Sequence, residues 1–172
     1  MPAPTMRAVE GSDVATLGIM QFTVKPVAFV HATRQEATDD YWGGEQATIE
    51  LAADLPDESL DGIDAFSHAE ILFVFDKLDP EAVIVGARHP RGNAAWPRVG
   101  IFAQRAKARP NRVGATIVRI VSRDGRRLVV SGLDAIDGTP VIDIKPVFQE
   151  FLPSGRIVQP AWSHELMRNY WT

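Results

Sequence analysis

The sequence predicts a mainly β protein, a small closed or nearly closed β-barrel with a short helix near the C-terminus. Twelve prolines and 13 glycines divide the 172 residues into short segments, which favours strands and turns over a helical bundle. Most of these segments are apolar or alternating, as strands are, and few have helical spacing. With 45% hydrophobic residues the chain can form one core, but it is too short for a second complete domain. We therefore expect a single domain over residues 21–172, after a loose leader over residues 1–20.

The first half of the chain contains three predicted strands. Residues 24–31 are mostly apolar and predict the first strand. Residues 39–44 (Asp-Asp-Tyr-Trp-Gly-Gly) are too rich in turn formers for a regular element, and residues 47–51 alternate as a second strand. An acidic connection over residues 54–64 has room for one helical turn. Residues 71–75 (Ile-Leu-Phe-Val-Phe) are the most apolar run and predict a strand buried on both faces.

A β-hairpin is the clearest local signal in the second half. Residues 115–121 and 127–131 are strand-like and flank an Asp124-Gly125 turn. Another strand over residues 141–144 follows the Asp-Gly-Thr-Pro sequence at 137–140. Pro160 is placed to open a short helix. That helix would cover Trp162, Leu166, Met167 and Tyr170.

The composition excludes several kinds of chemistry. The chain has no cysteine, which excludes disulfides, thiolate zinc sites, iron–sulfur clusters and a cysteine nucleophile. No apolar run approaches the roughly 18 residues of a membrane helix, and the start, Met-Pro-Ala-Pro, lacks a signal-peptide pattern. We expect a cytoplasmic protein with no membrane partner.

Charge is strongly segregated along the chain. The net charge of −4 by itself argues against a nucleic-acid partner. Residues 88–127, here called the basic block, nevertheless contain 11 of the 18 basic residues and a single acid, Asp124. Ten of the 11 are arginines, which suit bidentate contacts to phosphate. The basic block therefore predicts a phosphate-binding face; the alternative is that it and the acidic remainder neutralise each other within the fold.

Common nucleotide and metal motifs are missing from the sequence. There is no Gly-x-Gly-x-x-Gly after a strand and no Gly-rich loop ending in Lys-Ser or Lys-Thr, so neither a dinucleotide fold nor a P-loop is predicted. The four histidines are scattered, and we expect no metal site. Ser67 and His68 would point to opposite faces of a strand, which makes a serine–histidine nucleophile awkward. His68 is expected to cap a strand or hold a loop, and it is a catalytic candidate by residue type alone.

Three segments carry more acids, amides, glycines and prolines than a generic scaffold needs. They are residues 62–68, 100–114 and 132–146. Rigid loops of this composition suit the recognition of a polar ligand by backbone groups.

Each segment also has a purely structural interpretation. Asp137 and Gly138 can form a tight turn, in which the aspartate accepts backbone N–H bonds and the glycine supplies a positive φ. Asp143 and Lys145 are two apart on a strand and can form an ion pair on one face. The Arg-Pro-Asn sequence at 109–111 can be a solvated loop.

Together the three segments resemble the TrmO/TsaA-like family. Its pattern reads approximately Gly-hydrophobic-Phe-Ala-x-Arg, then Arg-Pro-Asn-Pro-Ile-Gly, then Leu-Asp-x-x-Asp-Gly-Thr-Pro-Val-x-Asp-Ile-Lys-Pro. This chain reads GIFAQR, RPNRVG and LDAIDGTPVIDIKP, and the Phe-Ser-His at residues 66–68 also fits. The resemblance covers residues 24–153. It implies a TsaA-like, non-Rossmann β-barrel, S-adenosyl-L-methionine as cofactor, and methyl transfer to N6 of threonylcarbamoyl-adenosine beside the anticodon of tRNA.

The resemblance also implies site residues. Those expected to contact the cofactor are Asp76, Lys77, Arg105, Ala115, Gly132, Leu133 and Asp134, the last three at the adenosine end. Those expected to shape the pocket or meet the RNA are Lys107, Arg109, Asn111 and Arg112. Asp143 is the best general-base candidate by residue type, although many methyl transfers need no base, so the catalytic residue stays open.

Two departures from the family pattern keep the acceptor open. The family's tRNA enzymes have a Pro-Arg-Gln segment after the first strand, where this chain has residues 39–44, and the second proline of Arg-Pro-Asn-Pro is Arg112 here. A small-molecule or other non-tRNA acceptor, or cofactor binding without turnover, remains an alternative. The resemblance implies a homodimer. The aromatic residues Trp162, Tyr170 and Trp171 fit such an interface or packing onto the chain's own barrel equally well.

Overall fold

The computed structural model describes residues 21–172, so the leader expected over residues 1–20 lies outside the described residues. The strands are β1 (Ala28–Ala32), β2 (Gln46–Leu51), β3 (His68–Val74), β4 (Ala87–Arg88), β5 (Val99–Gly100), β6 (Val113–Asp124), β7 (Arg127–Ser131) and β8 (Pro140–Pro146), and α1 is Ala161–Leu166. Six strands close an antiparallel barrel in the order β1-β2-β7-β6-β3-β8, and β4 pairs with β5 separately. The predicted mainly β barrel with a short C-terminal helix is confirmed.

Alternating side chains fill the barrel. In β2 the residues Ala47, Ile49 and Leu51 are buried, whereas the intervening Thr48 and Glu50 face outward. The same alternation in the other strands brings one set of small and branched residues into a single core. Because burial of this apolar surface is the main driving force for folding, the period of two fixes which face of each strand points inward.

The prediction that residues 71–75 are buried on both faces is wrong. In β3 the side chains of Ala69, Ile71 and Phe73 are buried, but those of Leu72 and Val74 are only half-buried on the outer surface. A closed barrel has one interior, so even a continuous apolar run divides into an inward and an outward set.

Two element boundaries also differ from the expectation. The first strand begins at Ala28, four residues later than predicted. Residues 24–26 are exposed, whereas the Val27 N–H already donates to the backbone oxygen of Val141 in β8 at 2.8 Å. Helix α1 ends at Leu166, so Tyr170 lies in a turn beyond it. Pro160 stands at its N-cap, as the sequence predicted for the start of this helix.

The β6–β7 hairpin closes one end of the barrel. Its turn residues are Gly125 (φ 53°) and Arg126, because Asp124 pairs with Arg127. Arg126 Nη1 lies 3.1 Å from a carboxylate oxygen of Asp57 in the acidic connection. Leu60 and Ile63 of that connection, which contains two short 3-10 turns, are buried against the core.

The opposite end is here called the barrel mouth. β1, β3 and β7 end there, and β2, β6 and β8 begin there. Antiparallel closure therefore brings three connections together at the mouth, which are residues 33–45, 75–112 and 132–139. Across residues 21–172, no helix has the length and apolarity needed to cross a membrane.

Candidate functional site

Asp134 is the central polar side chain of the barrel mouth. It follows β7, and its two carboxylate oxygens each accept a hydrogen bond, from the Thr116 hydroxyl at Oδ1 and from the Tyr170 hydroxyl at Oδ2. Thr116 is buried and points into the barrel, on the same face of β6 as Val118 two residues later. The carboxylate is thereby held in a fixed orientation, and each oxygen retains a further lone pair that can accept a bond.

The two residues before Asp134 shape the same corner. Leu133 is 2% exposed and closes the top of the core. Gly132 has φ 81°, and its N–H donates to the backbone oxygen of Glu45 at 3.1 Å. A Cβ built on Gly132 would meet nothing within 4 Å, so its backbone is open to close approach by another molecule. Three consecutive residues therefore offer a hydrogen-bond acceptor (Asp134), an apolar surface (Leu133) and an open backbone (Gly132).

Arg105 lies on the rim of this corner. Its Nη2 donates to the backbone oxygen of Ala115, the neighbour of Thr116 on β6. Burial raises the pKa of Tyr170 well above its usual range, and the negative charge of Asp134 adds to this, while Arg105 and Arg91 act in the opposite direction. Tyr170 is therefore a neutral hydrogen-bond donor throughout the ordinary pH range, and two guanidinium groups lie near enough to influence it.

Asp76 and Lys77 reach the mouth from the end of β3. Lys77 Nζ donates to the backbone oxygen of Asp137 at 3.0 Å. The Asp76 N–H donates to Val74 O, which turns the chain directly after the strand. The structure thus brings all seven cofactor candidates to one end of the barrel. Arg105 bonds to Ala115, and the next residue, Thr116, bonds to Asp134.

Asp143 and His68 are not part of this cluster. Asp143 lies on the outer surface of β8 and forms the ion pair with Lys145 that its spacing predicted. Its register partner on β3 is Leu72, which in turn is opposite Ala115. His68 begins β3 at the hairpin end of the barrel, about 20 Å along the strand from the mouth at roughly 3.3 Å per residue.

The expectation that Ser67 and His68 point apart is wrong. Ser67 Oγ lies 2.8 Å from His68 Nδ1. β3 begins at His68, so strand alternation does not extend to Ser67. Both residues are exposed and lie away from the barrel mouth.

The RNA-binding candidates lie in the loop that leads into β6. Arg109 and Arg112 each donate one Nη1 bond to a backbone oxygen, that of Gln104 at 3.1 Å and that of Leu78 at 2.9 Å. Lys107 Nζ is 3.4 Å from Asp39 Oδ1. Asn111 (φ 63°) and Arg112 (φ 53°) both have left-handed backbone conformations and form a sharp turn. These side chains therefore stabilise the loop in addition to any role toward a ligand.

Within residues 21–172, five cations of the basic block pair with carboxylates outside it. Arg91 pairs with Asp40 and, at a longer distance, with Asp39, while Lys107 pairs with Asp39. The other three pairs are Arg123 with Asp61, Arg126 with Asp57 and Arg127 with Glu50. For these five the alternative of internal neutralisation is correct. Only the other six arginines therefore remain for the phosphate-binding face that the sequence predicts.

Sequence reasoning missed three components of the site. Thr116 had a signal, since a polar residue on the buried face of a strand requires a hydrogen-bond partner. Arg91 makes a two-pronged contact with Asp40 at 2.8 and 2.9 Å, and the carboxylate raises the pKa of the guanidinium. This pair and Tyr170 had no local signal. In the described part of the chain no group of three or more His, Asp or Glu side chains is arranged to hold a metal ion.

Comparison with known proteins gives one family and several relatives. The family described as "tRNA-methyltransferase O N-terminal domain" matches residues 32–151. The human protein named "tRNA (adenine(37)-N6)-methyltransferase" is 37% identical over 117 residues, covering 68% of this chain and 26% of the human one. This chain thus spans about a quarter of that relative's length.

Two further similarities cover more of the compared proteins. A protein of Methanothermobacter thermautotrophicus named "Probable S-adenosyl-L-methionine-binding protein" is 35% identical over 135 residues, covering 76% of this chain and 93% of that one. Among solved structures, the crystal structure of TrmO from P. aeruginosa is similar with a TM-score of 0.68 at 28% identity, over 85% of this chain and 63% of that one.

Proposed function

Because the chain belongs to the family of the tRNA-methyltransferase O N-terminal domain, we propose that it is an S-adenosyl-L-methionine-dependent methyltransferase. The family match covers the whole barrel from the end of β1 onward. The name of an archaeal relative gives binding of this cofactor, that of a bacterial relative gives methyl transfer dependent on it, and that of the human relative gives methyl transfer to tRNA. The resemblance found in the three sequence motifs leads to the same family.

The observation that carries the proposal is the corner formed by Gly132, Leu133 and Asp134. An adenosine presents N–H and O–H donors together with an apolar ring face, and this corner offers a carboxylate, a buried leucine and an open backbone. Arg105 bonds to Ala115, the neighbour of the Thr116 whose hydroxyl holds Asp134. The residues present therefore fit the cofactor, with Asp76 and Lys77 completing the proposed contacts.

In this reaction the protein mainly has to position the cofactor and the acceptor. S-adenosyl-L-methionine supplies a methyl group on a positively charged sulfur, an already activated donor. The residues of the mouth would bind and orient it, keep water away from the methyl group and leave room for in-line approach of the acceptor. No side chain has to be oxidised or reduced, which fits a chain without cysteine.

We propose N6 of a modified adenosine in tRNA, threonylcarbamoyl-adenosine beside the anticodon, as the acceptor. The name of the human relative supports methylation at an adenine N6 in tRNA. Arg109, Asn111 and Arg112 would meet the RNA, because their loop borders the mouth next to Arg105, whereas Lys107 of the same loop pairs with Asp39. The alternative is a non-tRNA acceptor or binding alone, and the names of the archaeal relatives support it, as does the altered segment 39–44.

The proposal extends to the state of the whole protein. We propose one domain over residues 21–172 and a cytoplasmic location, where tRNA is modified. We also propose a homodimer, supported by the exposed apolar residues that follow β8. They are Phe148, Phe151, Leu152, Ile157 and Val158, and Phe151 is 86% exposed.

Calorimetry with S-adenosyl-L-methionine tests the function. We expect wild-type protein to bind and both Asp134→Ala and Arg105→Ala to bind at least about tenfold more weakly, since each change removes a charged partner. Asp54→Ala, at an exposed aspartate far from the mouth, is the control and should bind like wild type. No binding by wild type at millimolar cofactor would reject the proposal, and an equal loss of thermal stability in both mouth variants would favour a structural role.

A further inference from the structure

The C-terminal segment, residues 160–172, reaches the barrel mouth from outside the region that defines the family. The family match ends at residue 151, and residues 151–160 are all exposed. After this exposed connection, α1 and the turn beyond it become half-buried at Trp162, Leu166 and Tyr170. The segment is thus exposed along residues 151–160 and contacts the barrel through its half-buried side chains after them.

Four contacts define that docking place. Trp96 Nε1 donates to Glu165 Oε2 at 2.8 Å. The N–H groups of Tyr41 and Trp42 donate to the backbone oxygens of Asn169 (2.9 Å) and Tyr170 (2.7 Å). Gly43 completes the fit, because a Cβ there would lie 1.8 Å from the backbone oxygen of Trp171.

The docking surface is itself fixed by charge. Asp40 of the same segment 39–44 accepts the two-pronged contact from Arg91. The guanidinium of Arg34 lies over the buried Trp42 ring, 4.1 Å from its centroid. Segment 39–44 is therefore held in place by Arg91 and Arg34 and forms the docking surface for residues 169–171.

This docking points one functional group into the site. The Tyr170 hydroxyl donates to Oδ2 of Asp134, the oxygen that Thr116 leaves unused. Tyr170 stays protonated, so its hydroxyl donates a hydrogen bond that stabilises the ionised form of this carboxylate at neutral pH. The ring of Trp171 packs edge-on against that of Tyr170 at 4.9 Å and limits its movement.

We propose that Tyr170 is a positioning residue of the cofactor site, which orients the Asp134 carboxylate toward the adenosine of S-adenosyl-L-methionine. This inference rests on the proposed function, because it assigns Asp134 to the cofactor. It also gives segment 39–44 a role, which is to hold residues 169–171 so that the hydroxyl reaches the carboxylate.

A double-mutant cycle on the full chain, read by calorimetry with S-adenosyl-L-methionine, tests this role. Tyr170→Phe keeps the ring and removes the hydroxyl, and we expect it to weaken binding about tenfold, as for one hydrogen bond to a charged group. In an Asp134→Asn background the same change should alter binding by less than about twofold, since the hydroxyl acts through the carboxylate. Ser122→Ala, which removes an exposed hydroxyl from β6 near the hairpin end of the barrel, is the control and should equal wild type.

Each other result overturns the inference. If Tyr170→Phe binds as well as wild type or more tightly, the hydroxyl does not position Asp134 or even competes with the cofactor. If Tyr170→Phe weakens cofactor binding as much in the Asp134→Asn background as in wild type, Tyr170 affects the cofactor independently of Asp134. If wild type itself does not bind, the proposed function fails and takes this inference with it, whereas the first two results leave the proposed function intact.

Discussion

Asp137 fixes the loop between β7 and β8 by its side chain. Its Oδ1 accepts a hydrogen bond from the Ala32 N–H at 3.1 Å, and Gly138 follows with φ 77°. The tight turn expected from the Asp-Gly sequence is therefore confirmed, including the backbone bond to the aspartate. The Ala32 N–H is the main cause that lowers the pKa of Asp137, and a hydrogen bond from Gln35 adds to it.

This lowered pKa predicts a pH-dependent stability. A carboxyl whose folded pKa lies below its ordinary value of 3.8 stabilises the fold above that value and loses the effect as pH falls through the folded pKa. We expect Asp137→Asn to lower the Tm by about 2 °C at pH 7, and the difference from wild type to shrink below about pH 4. Thermal unfolding between pH 7 and pH 3 measures this.

Asp54→Asn, at an exposed carboxyl in the connection before β3, is the comparison for that series and should follow wild type throughout. A difference between Asp137→Asn and wild type that stays constant down to pH 3 would mean that the charge of Asp137 does not stabilise the turn.

At the scale of elements, β3 and β6 meet where a small residue faces a large one. Gly114 of β6 is the register partner of Phe73, whose ring is 1% exposed. A Cβ on Gly114 would lie 2.5 Å from two atoms of that ring. The Arg-Pro-Asn-Arg-Val-Gly motif thus ends in glycine because the ring occupies the space of a side chain, which is a packing reason inside a motif that resemblance links to function.

Gly114→Ala should therefore destabilise the protein by about 1–3 kcal/mol through overpacking of a buried ring. Chemical denaturation followed by fluorescence measures the free energy of unfolding. Gly86→Ala is the control, because that glycine is exposed and an added Cβ meets nothing within 4 Å. Equal stability of the two variants would show that the ring of Phe73 can move aside without cost.

At the scale of the whole molecule, the charge distribution bears on the acceptor. The pairing of five basic-block cations with acids takes them out of any simple phosphate-binding face. The loop 107–112 remains beside the mouth and keeps most of its guanidinium N–H groups for a ligand, since Arg109 and Arg112 each use one Nη atom in the described bonds. An RNA held there would have its target base near Asp134 and Arg105.

Incubation of the protein with tRNA and methyl-labelled S-adenosyl-L-methionine should therefore transfer label to an adenine nucleoside, identified by mass spectrometry after digestion. Transfer should weaken as salt rises from about 50 to 200 mM, because binding to phosphates releases counterions. Asp134→Ala protein provides the background. Label appearing in no nucleoside, while cofactor binding persists, would favour the non-tRNA acceptor.

The sequence by itself determined the features that depend on neighbouring residues. Strand alternation, the hairpin after Asp124, the Asp137-Gly138 turn and the Asp143–Lys145 ion pair are all confirmed. Each follows from backbone φ and ψ preferences or from the period of two along a strand, and both act over a few residues. The three motifs also sufficed for the family.

Only the tertiary structure decided how the site is assembled. Tyr170 and Asp134 are 36 residues apart, and Arg91 and Asp40 are 51 apart. Their contacts depend on barrel closure, which brings loops 33–45 and 75–112 to one end, and on the return of the C-terminal segment to that end. No local preference encodes such a meeting, because it depends on the summed geometry of six strands. The same closure determined that Asp143 faces outward and that five of the 11 cations of the basic block are paired with acids.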